Sequence, residues 1–144
     1  MAPLAVVVVA LALFWPRGSG VGPDLAAARA TWGESGSTSY VWEYSIGAGV
    51  DYPPVRVTVA GRSVVAAEFS EPAAAEDWLG VSPWEFAQTV DDLFTAIDTS
   101  LTDAATVEYD PGDGHPIRGR LNPEPAANGL SWGFTVYSLV PLEG

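Results

Sequence analysis

The chain contains no cysteine, no lysine and only one histidine, and these scarcities exclude several kinds of site. Without cysteine there is no disulfide, no thiol catalysis, no thiolate metal ligand and no cysteine for lipid attachment. A zinc site is also disfavoured, because zinc usually takes several cysteine or histidine ligands. The chain has no phosphate-binding loop and no dinucleotide-binding glycine motif. The sequence therefore predicts neither a metal nor a cofactor.

The single histidine, His115, has no obvious catalytic partner. A catalytic base needs a nucleophile within hydrogen-bond reach, and the chain lacks both a thiol and a Gly-x-Ser-x-Gly elbow. We therefore expect His115 to pack or to form a surface hydrogen bond, and we predict no catalytic residue.

Positive charge is scarce as well. Eighteen acidic residues stand against six basic ones, all arginine, for a net charge of −12 over 144 residues. Binding to nucleic acid or to an anionic membrane needs clustered cations, so both are disfavoured as partners. The acidity is explained by solubility and a GC-rich genome, or by a cationic partner. The hydrophobic fraction of 48%, with six tryptophans, is enough for the core of one domain.

The N-terminus resembles an export signal. Residues 2–15 form an uncharged, mainly apolar run, followed by Pro16, Arg17 and the small residues Gly18-Ser19-Gly20. The run has the length of a signal-peptide segment and is shorter than a comfortable membrane span. We divide the chain into a signal peptide or N-terminal anchor, residues 1–22, and one domain, residues 23–144. Because no positive charge precedes the run and Arg17 follows it, an uncleaved anchor is the alternative. The predicted location is extracytoplasmic, secreted or anchored.

Periodicity predicts two helices and six strands in the domain. The first helix is Pro23–Trp32, ended by Gly33, and the second begins at one of two candidate caps, Ser82 or Thr89. The predicted strands are Tyr40–Ile46, Val55–Val59, Arg62–Phe69, Thr106–Tyr109, Pro116–Leu121 and Leu130–Val140. A tight turn at Ala60-Gly61 joins the second strand to the third. Short links favour antiparallel pairing, which predicts a single α+β domain. We expect an antiparallel sheet of about six strands in helix-βββ-helix-βββ order, with the helices packed on one face.

Several short motifs together resemble a known family. They are Trp32, Tyr40-x-Trp42-x-Tyr44, Val55–Val59 with Gly61, Asp92-Leu93-Phe94 with Ile97, and Val107-x-Tyr109-Asp110 with Gly114-x-Pro116. Their order and spacing are similar to those of small exported bacterial proteins, many lipoprotein-like and actinobacterial, that are catalogued as a domain of unknown function. The resemblance covers roughly Leu25 to Val140 and implies the fold and an exported location, but no activity. The chain departs from the family pattern by lacking a cysteine pair and by having His115 where tyrosine is common.

Residues 107–116 concentrate turn-forming and polar residues, and two interpretations compete. As a hairpin turn, the segment has aspartate and proline to start it and glycine where a positive φ is needed. As a site, Glu108, Asp110 and Asp113 offer oxygens to Ca²⁺, but the EF-hand spacing is absent. We favour the turn and keep Asp110, Asp113 and His115 as candidate binding residues.

Aromatic side chains are the other candidates for binding, in particular Trp42 and Trp132. At strand spacing they more often belong to a core, although six tryptophans exceed what so small a core needs. The leading hypothesis is a non-catalytic binding or accessory protein of the cell envelope. Its partner would be an envelope protein or a cell-wall ligand, bound through an aromatic-bearing sheet face. The alternatives are a carboxylate-based hydrolase using Asp110 and Asp113, with or without Ca²⁺, and a secreted inhibitor that presents the Asp110–His115 loop.

Overall fold

Six strands and two α-helices make up the part of the chain that the computed structural model describes, which is residues 21–47, 53–71, 80–100, 105–121 and 132–142. The helices are α1 (Val21–Ser35) and α2 (Val90–Thr99), and a 3-10 helix (Pro83–Phe86) precedes α2. The strands are β1 (Tyr40–Gly47), β2 (Val55–Ala60), β3 (Ser63–Phe69), β4 (Thr106–Tyr109), β5 (Pro116–Leu121) and β6 (Trp132–Pro141). The predicted export segment and the predicted start of the last strand at Leu130 lie outside the described residues.

The strands form one sheet in the order β3-β2-β1-β6-β5-β4, and every neighbouring pair is antiparallel. β1 and β6, the first and last of the described strands, are therefore the two central strands. The prediction of an α+β domain with an antiparallel sheet of about six strands is confirmed. Among the described residues, no helix is long and apolar enough to cross a membrane.

Alternate residues of β1 supply the centre of the core. Tyr40, Trp42 and Tyr44 are at most 1% exposed, and the valines of β2 continue the same buried face. Both helices cover this face: Trp32 of α1 meets the Tyr40 ring edge-on, and Val90 at the start of α2 donates its N–H to the Tyr40 hydroxyl. The period-2 pattern that predicted an aromatic inner face is confirmed, and that face is interior.

Both predicted helix caps are used. Ser82 caps the 3-10 helix, and Thr89 caps α2 with a reciprocal bond between its N–H and the Asp92 carboxylate. Ala87, extended at φ −76° and ψ 132°, separates the two elements. The two candidate caps therefore begin two consecutive helices, and the main helix begins after Thr89.

Two boundaries differ from the prediction. In each, the residues with a left-handed backbone mark the boundary, and the sequence does not show which residues those are. Gly33 lies within α1, which continues to Ser35 and ends at Gly36 with φ +72°. The β2–β3 turn is formed by Gly61 and Arg62, at φ 58° and 71°, rather than by Ala60-Gly61.

Candidate functional site

The segment joining β4 to β5 is a hairpin turn held by its first aspartate. The Asp110 N–H donates to the His115 carbonyl at 2.8 Å, and the Gly114 N–H donates to the Asp110 carbonyl at 2.9 Å. The Asp110 Oδ2 accepts from the Gly112 and Asp113 N–H groups at 2.9 and 3.0 Å. The N–H of Asp113 is the main cause that lowers the pKa of the Asp110 carboxyl. The predicted turn is therefore present, and Asp110 organises it.

Asp113 and His115 form a second local pair in this turn. The Asp113 Oδ1 accepts from the His115 N–H at 3.0 Å and lies 2.6 Å from its Nδ1. The side chains of His115 and Asp113 are only 13% and 26% exposed. The imidazole also meets the indole of Trp32 edge-on at 6.5 Å between ring centroids. His115 therefore packs against α1 as well as closing the turn.

Asp110, Asp113 and His115 are close enough to resemble a cation site, since one donor atom from each lies within 4.8 Å of the others. Two carboxylates and an imidazole are ligands that several divalent ions accept. One oxygen of each carboxylate already accepts two bonds from the turn itself. The hydrogen bonds that these two carboxylates accept are therefore the bonds that stabilise the turn.

The turn is seated against α1 at a glycine. Gly114 has φ +87°, and a Cβ at this position would lie 2.3 Å from the Ala28 carbonyl oxygen. Only glycine allows both this conformation and this approach. The turn is therefore fixed against the helix rather than projecting freely from the domain.

A groove of about 970 Å³ lies beside this contact, and we call it the α1–β4 groove. Its volume is within the usual range for ligand pockets, which is roughly 300–1,000 Å³. One wall is a single face of α1, and the other is formed by β4 with the neighbouring parts of β5 and β6. The lining residues are Asp24, Ala27, Ala28 and Thr31 of α1, residues 106–111, Gly114, residues 118–120, Phe134 and Thr135.

Tyr109 lines this groove and carries a buried, unpaired hydroxyl. Its hydroxyl oxygen is buried and has no hydrogen-bond partner among the residues that the structure describes. The ring stacks on Phe94 with centroids 6.2 Å apart. Burial raises the pKa of the hydroxyl, and the negative charge of Asp24 adds to the effect. A buried hydroxyl without a partner costs about 1–3 kcal/mol of stability.

The charges that line the groove are mixed. Arg118 and Glu108 face each other across the β4–β5 ladder, with Nε and Oε2 3.4 Å apart. Asp24 and Arg120 have no ion-pair partner within the described parts of the chain. The groove therefore offers one free carboxylate and one free guanidinium.

The predicted binding residues occupy three separate places. Asp110, Asp113 and His115 come together in the turn, and Asp110 also lines the groove. Trp42 is 0% exposed and donates its Nε1–H to the Gln88 carbonyl at 3.1 Å, so no ligand reaches it in this structure. Trp132 is half-buried and donates to the Ser100 Oγ at 3.3 Å.

The aromatic-bearing face on which the binding hypothesis rested is therefore core, because the strand period that aligned those rings also turned them inward. Exposed aromatic surface is found elsewhere, at Trp84 and Tyr137, which are 52% and 58% exposed. Sequence reasoning missed Asp24, Tyr109 and Arg120 as a group, since helix and hairpin are far apart in the chain and no local spacing connects them.

Comparison with known proteins places this fold in a family. Residues 24–129 match the model of a family of unknown function, DUF6174. The chain belongs to this family. The matched residues include the α1 wall of the groove, the β4–β5 hairpin and the turn between its strands. A search of curated proteins and a search of solved structures found no match.

Proposed function

We propose that this member of the DUF6174 family is an exported, non-catalytic binding domain that acts at the bacterial cell envelope. Its ligand, an envelope protein or a cell-wall component, would be held in the α1–β4 groove. The observation that carries the proposal is the groove itself, a concave site beside the β4–β5 hairpin, with the charges of Asp24 and Arg120, unpaired within the described residues, among its lining.

The support for export comes from the N-terminal apolar run and from the resemblance to exported bacterial proteins. The run is followed by the small residues Gly18-Ser19-Gly20, as in the cleavage region of signal peptides. An exported domain without cysteine relies on packing alone, and the aromatic core around Trp42 provides that packing. Secretion and retention by an uncleaved anchor are both compatible with this role.

The alternatives have less support from the geometry. A carboxylate-based hydrolase needs an acid and a base that are free to exchange protons with substrate. The Asp110 and Asp113 carboxylates instead accept the N–H groups of their own turn. An inhibitor that presents the Asp110–His115 loop needs a projecting loop, and Gly114 holds this one against Ala28.

The test uses two matched tryptophan variants of the full chain. Ala27 lines the groove, while the neighbouring Ala26 is exposed on α1 and does not. Thermal melting and calorimetric titration are carried out with cell-wall glycan fragments and with short synthetic peptides. We expect a ligand whose binding is lost in Ala27→Trp and retained in Ala26→Trp. A ligand that binds all three proteins equally would place the binding surface elsewhere and overturn the proposal.

A further inference from the structure

The α1–β4 groove runs beside an unpaired edge of the sheet. β4 is the last strand in the described sheet, paired with β5 on one side only. Alternate residues of an edge strand direct their N–H and C=O groups away from the sheet, where another extended chain can pair with them. Every residue from Thr106 to Pro111 lines the groove, as expected if it follows the length of the strand. The groove therefore includes the unpaired edge of β4.

The two free charges lie toward opposite ends of β4. Arg120 is the cross-strand partner of Thr106, at the beginning of the strand. Asp24 lies one helical turn before Ala28 on the groove-lining face of α1, and Ala28 contacts Gly114 in the turn that follows the end of β4. An extended ligand lying along β4 would therefore meet a positive group at one end and a negative group at the other.

These charges also lie on opposite faces of the sheet. Successive side chains of a strand alternate between faces, so Thr106 and Tyr109, three residues apart, point in opposite directions. Tyr109 points toward the helices and stacks on Phe94, whereas Thr106 is exposed with Arg120 beside it. A strand added to β4 would reach the two charges with residues three positions apart.

We propose that the groove binds an extended peptide as a seventh strand, antiparallel to β4, with the charge pattern basic-x-x-acidic. The basic side chain would approach Asp24, and the acidic side chain would approach Arg120. The antiparallel direction follows the five existing ladders, all of which are antiparallel. This inference rests on the proposed function, because it identifies the ligand of the same groove.

The choice of a peptide over a glycan follows from the edge backbone. Strand addition satisfies alternating N–H and C=O groups at the regular spacing of a second backbone, which a sugar chain does not have. Main-chain bonds give such complexes their affinity, and side-chain positions such as the two charged ones give them specificity.

The first experiment tests the charge pattern. Fluorescent octapeptides of alternating threonine and valine, carrying either Lys-x-x-Glu or Glu-x-x-Lys, are titrated with the full chain. We expect the first order to bind about threefold to tenfold more tightly at low salt, with the difference shrinking as salt screens the charges. Arg120→Glu should shift the preference to Lys-x-x-Lys, whereas Arg62→Glu, in the distant β2–β3 turn, should not. Equal affinity for both orders would overturn the charge assignment.

The second experiment tests backbone pairing. Single N-methyl groups are placed at successive positions of the tighter peptide. Methylation of an N–H that pairs with β4 should weaken binding about tenfold or more, and methylation of the next position should have little effect, giving a period of two. A uniform effect, or none, would overturn strand addition.

The Ala27→Trp variant separates this inference from the proposed function. If peptides bind with a period of two and Ala27→Trp abolishes binding, both are supported. If the groove variant abolishes binding of a glycan and no peptide binds, the groove is a binding site and the peptide inference fails. If peptide binding survives in Ala27→Trp, the groove is not the site and both fail.

Discussion

Gly114 crosses directly beside the α1 backbone, where a Cβ would stand 2.3 Å from the Ala28 carbonyl oxygen. The same Cβ would also lie 3.0 Å from the Thr31 Cβ. This approach connects α1 to a hairpin more than eighty residues later in the chain, and it positions one end of the α1–β4 groove.

We predict that Gly114→Ala lowers the free energy of unfolding by about 3 kcal/mol or more. A left-handed backbone costs a non-glycine residue roughly 1–2 kcal/mol, and the contact with helix backbone adds to that cost. Gly36→Ala is the control, because Gly36 has a similar φ of +72° but no atom within 4 Å of the Cβ position. Gly36→Ala should lower the free energy of unfolding only by the cost of the left-handed backbone, about 1 kcal/mol. Urea denaturation of the two variants measures the difference, and equal losses would contradict a packed interface at Gly114.

Tyr44 of β1 forms hydrogen bonds to the backbone that joins the 3-10 helix to α2. Its hydroxyl donates to the Phe86 carbonyl and accepts from the Gln88 N–H at 2.9 Å. We predict that Tyr44→Phe lowers the free energy of unfolding by about 1–3 kcal/mol, because two partly buried backbone groups each lose a hydrogen bond.

The control is Tyr137→Phe, whose hydroxyl makes an exposed 3.3 Å contact with the Ser45 Oγ. It should change the free energy of unfolding by less than about 0.5 kcal/mol. Thermal or urea unfolding provides the measurement. Similar losses in the two variants would mean that the Tyr44 hydroxyl contributes no more than a surface contact.

Alkaline pH should unfold the domain through its buried tyrosines. Burial raises the pKa of Tyr40 to about 12, and burial also raises the pKa values of Tyr44 and Tyr109. The unfolded state releases these protons near pH 10, so stability is complete below that value and falls as pH rises to about 12. The expected slope is up to about 1.4 kcal/mol per pH unit for each tyrosine.

The chain is suited to this measurement because it has no lysine to titrate in the same range. Urea unfolding across the alkaline range, with tyrosinate absorbance as a second signal, should show loss of structure and ionisation together. Tyr40→Phe should be less stable at neutral pH, because the Val90 N–H loses its acceptor, and should show a shallower alkaline slope. An unchanged slope would mean that Tyr40 ionises without unfolding.

How much of this structure could be predicted from sequence depends on the distance between the residues involved. The inward face of Tyr40, Trp42 and Tyr44, the two helix caps and the β4–β5 turn all follow from residues within a few positions of one another. Helix and turn ends were less exact, because Gly33 and Gly36 look alike in sequence and only the backbone shows which is left-handed.

The groove could not be predicted in this way. Asp24 and Tyr109 line the same groove only because α1 packs beside β4 at the edge of the sheet. That arrangement depends on strand order, which local periodicity does not reveal. The same limit explains the proposal of Trp42 as a binding residue. The pattern showed that the aromatic side chains share a face, while burial showed that the helices cover it.

Acid should weaken the β4–β5 turn through Asp110. The Asp113 N–H that donates to its carboxylate holds the pKa of Asp110 below the usual value for aspartate, near 3.9. A carboxyl with a lowered folded-state pKa stabilises the native state above the unfolded pKa, and that stability is lost as pH falls through the folded pKa. Asp110→Asn keeps an oxygen acceptor for the turn but removes the charge. We therefore predict a smaller fall in unfolding free energy below about pH 4 in Asp110→Asn than in the native chain, measured by urea unfolding. Parallel acid profiles for the two proteins would show that the Asp110 charge does not stabilise the turn.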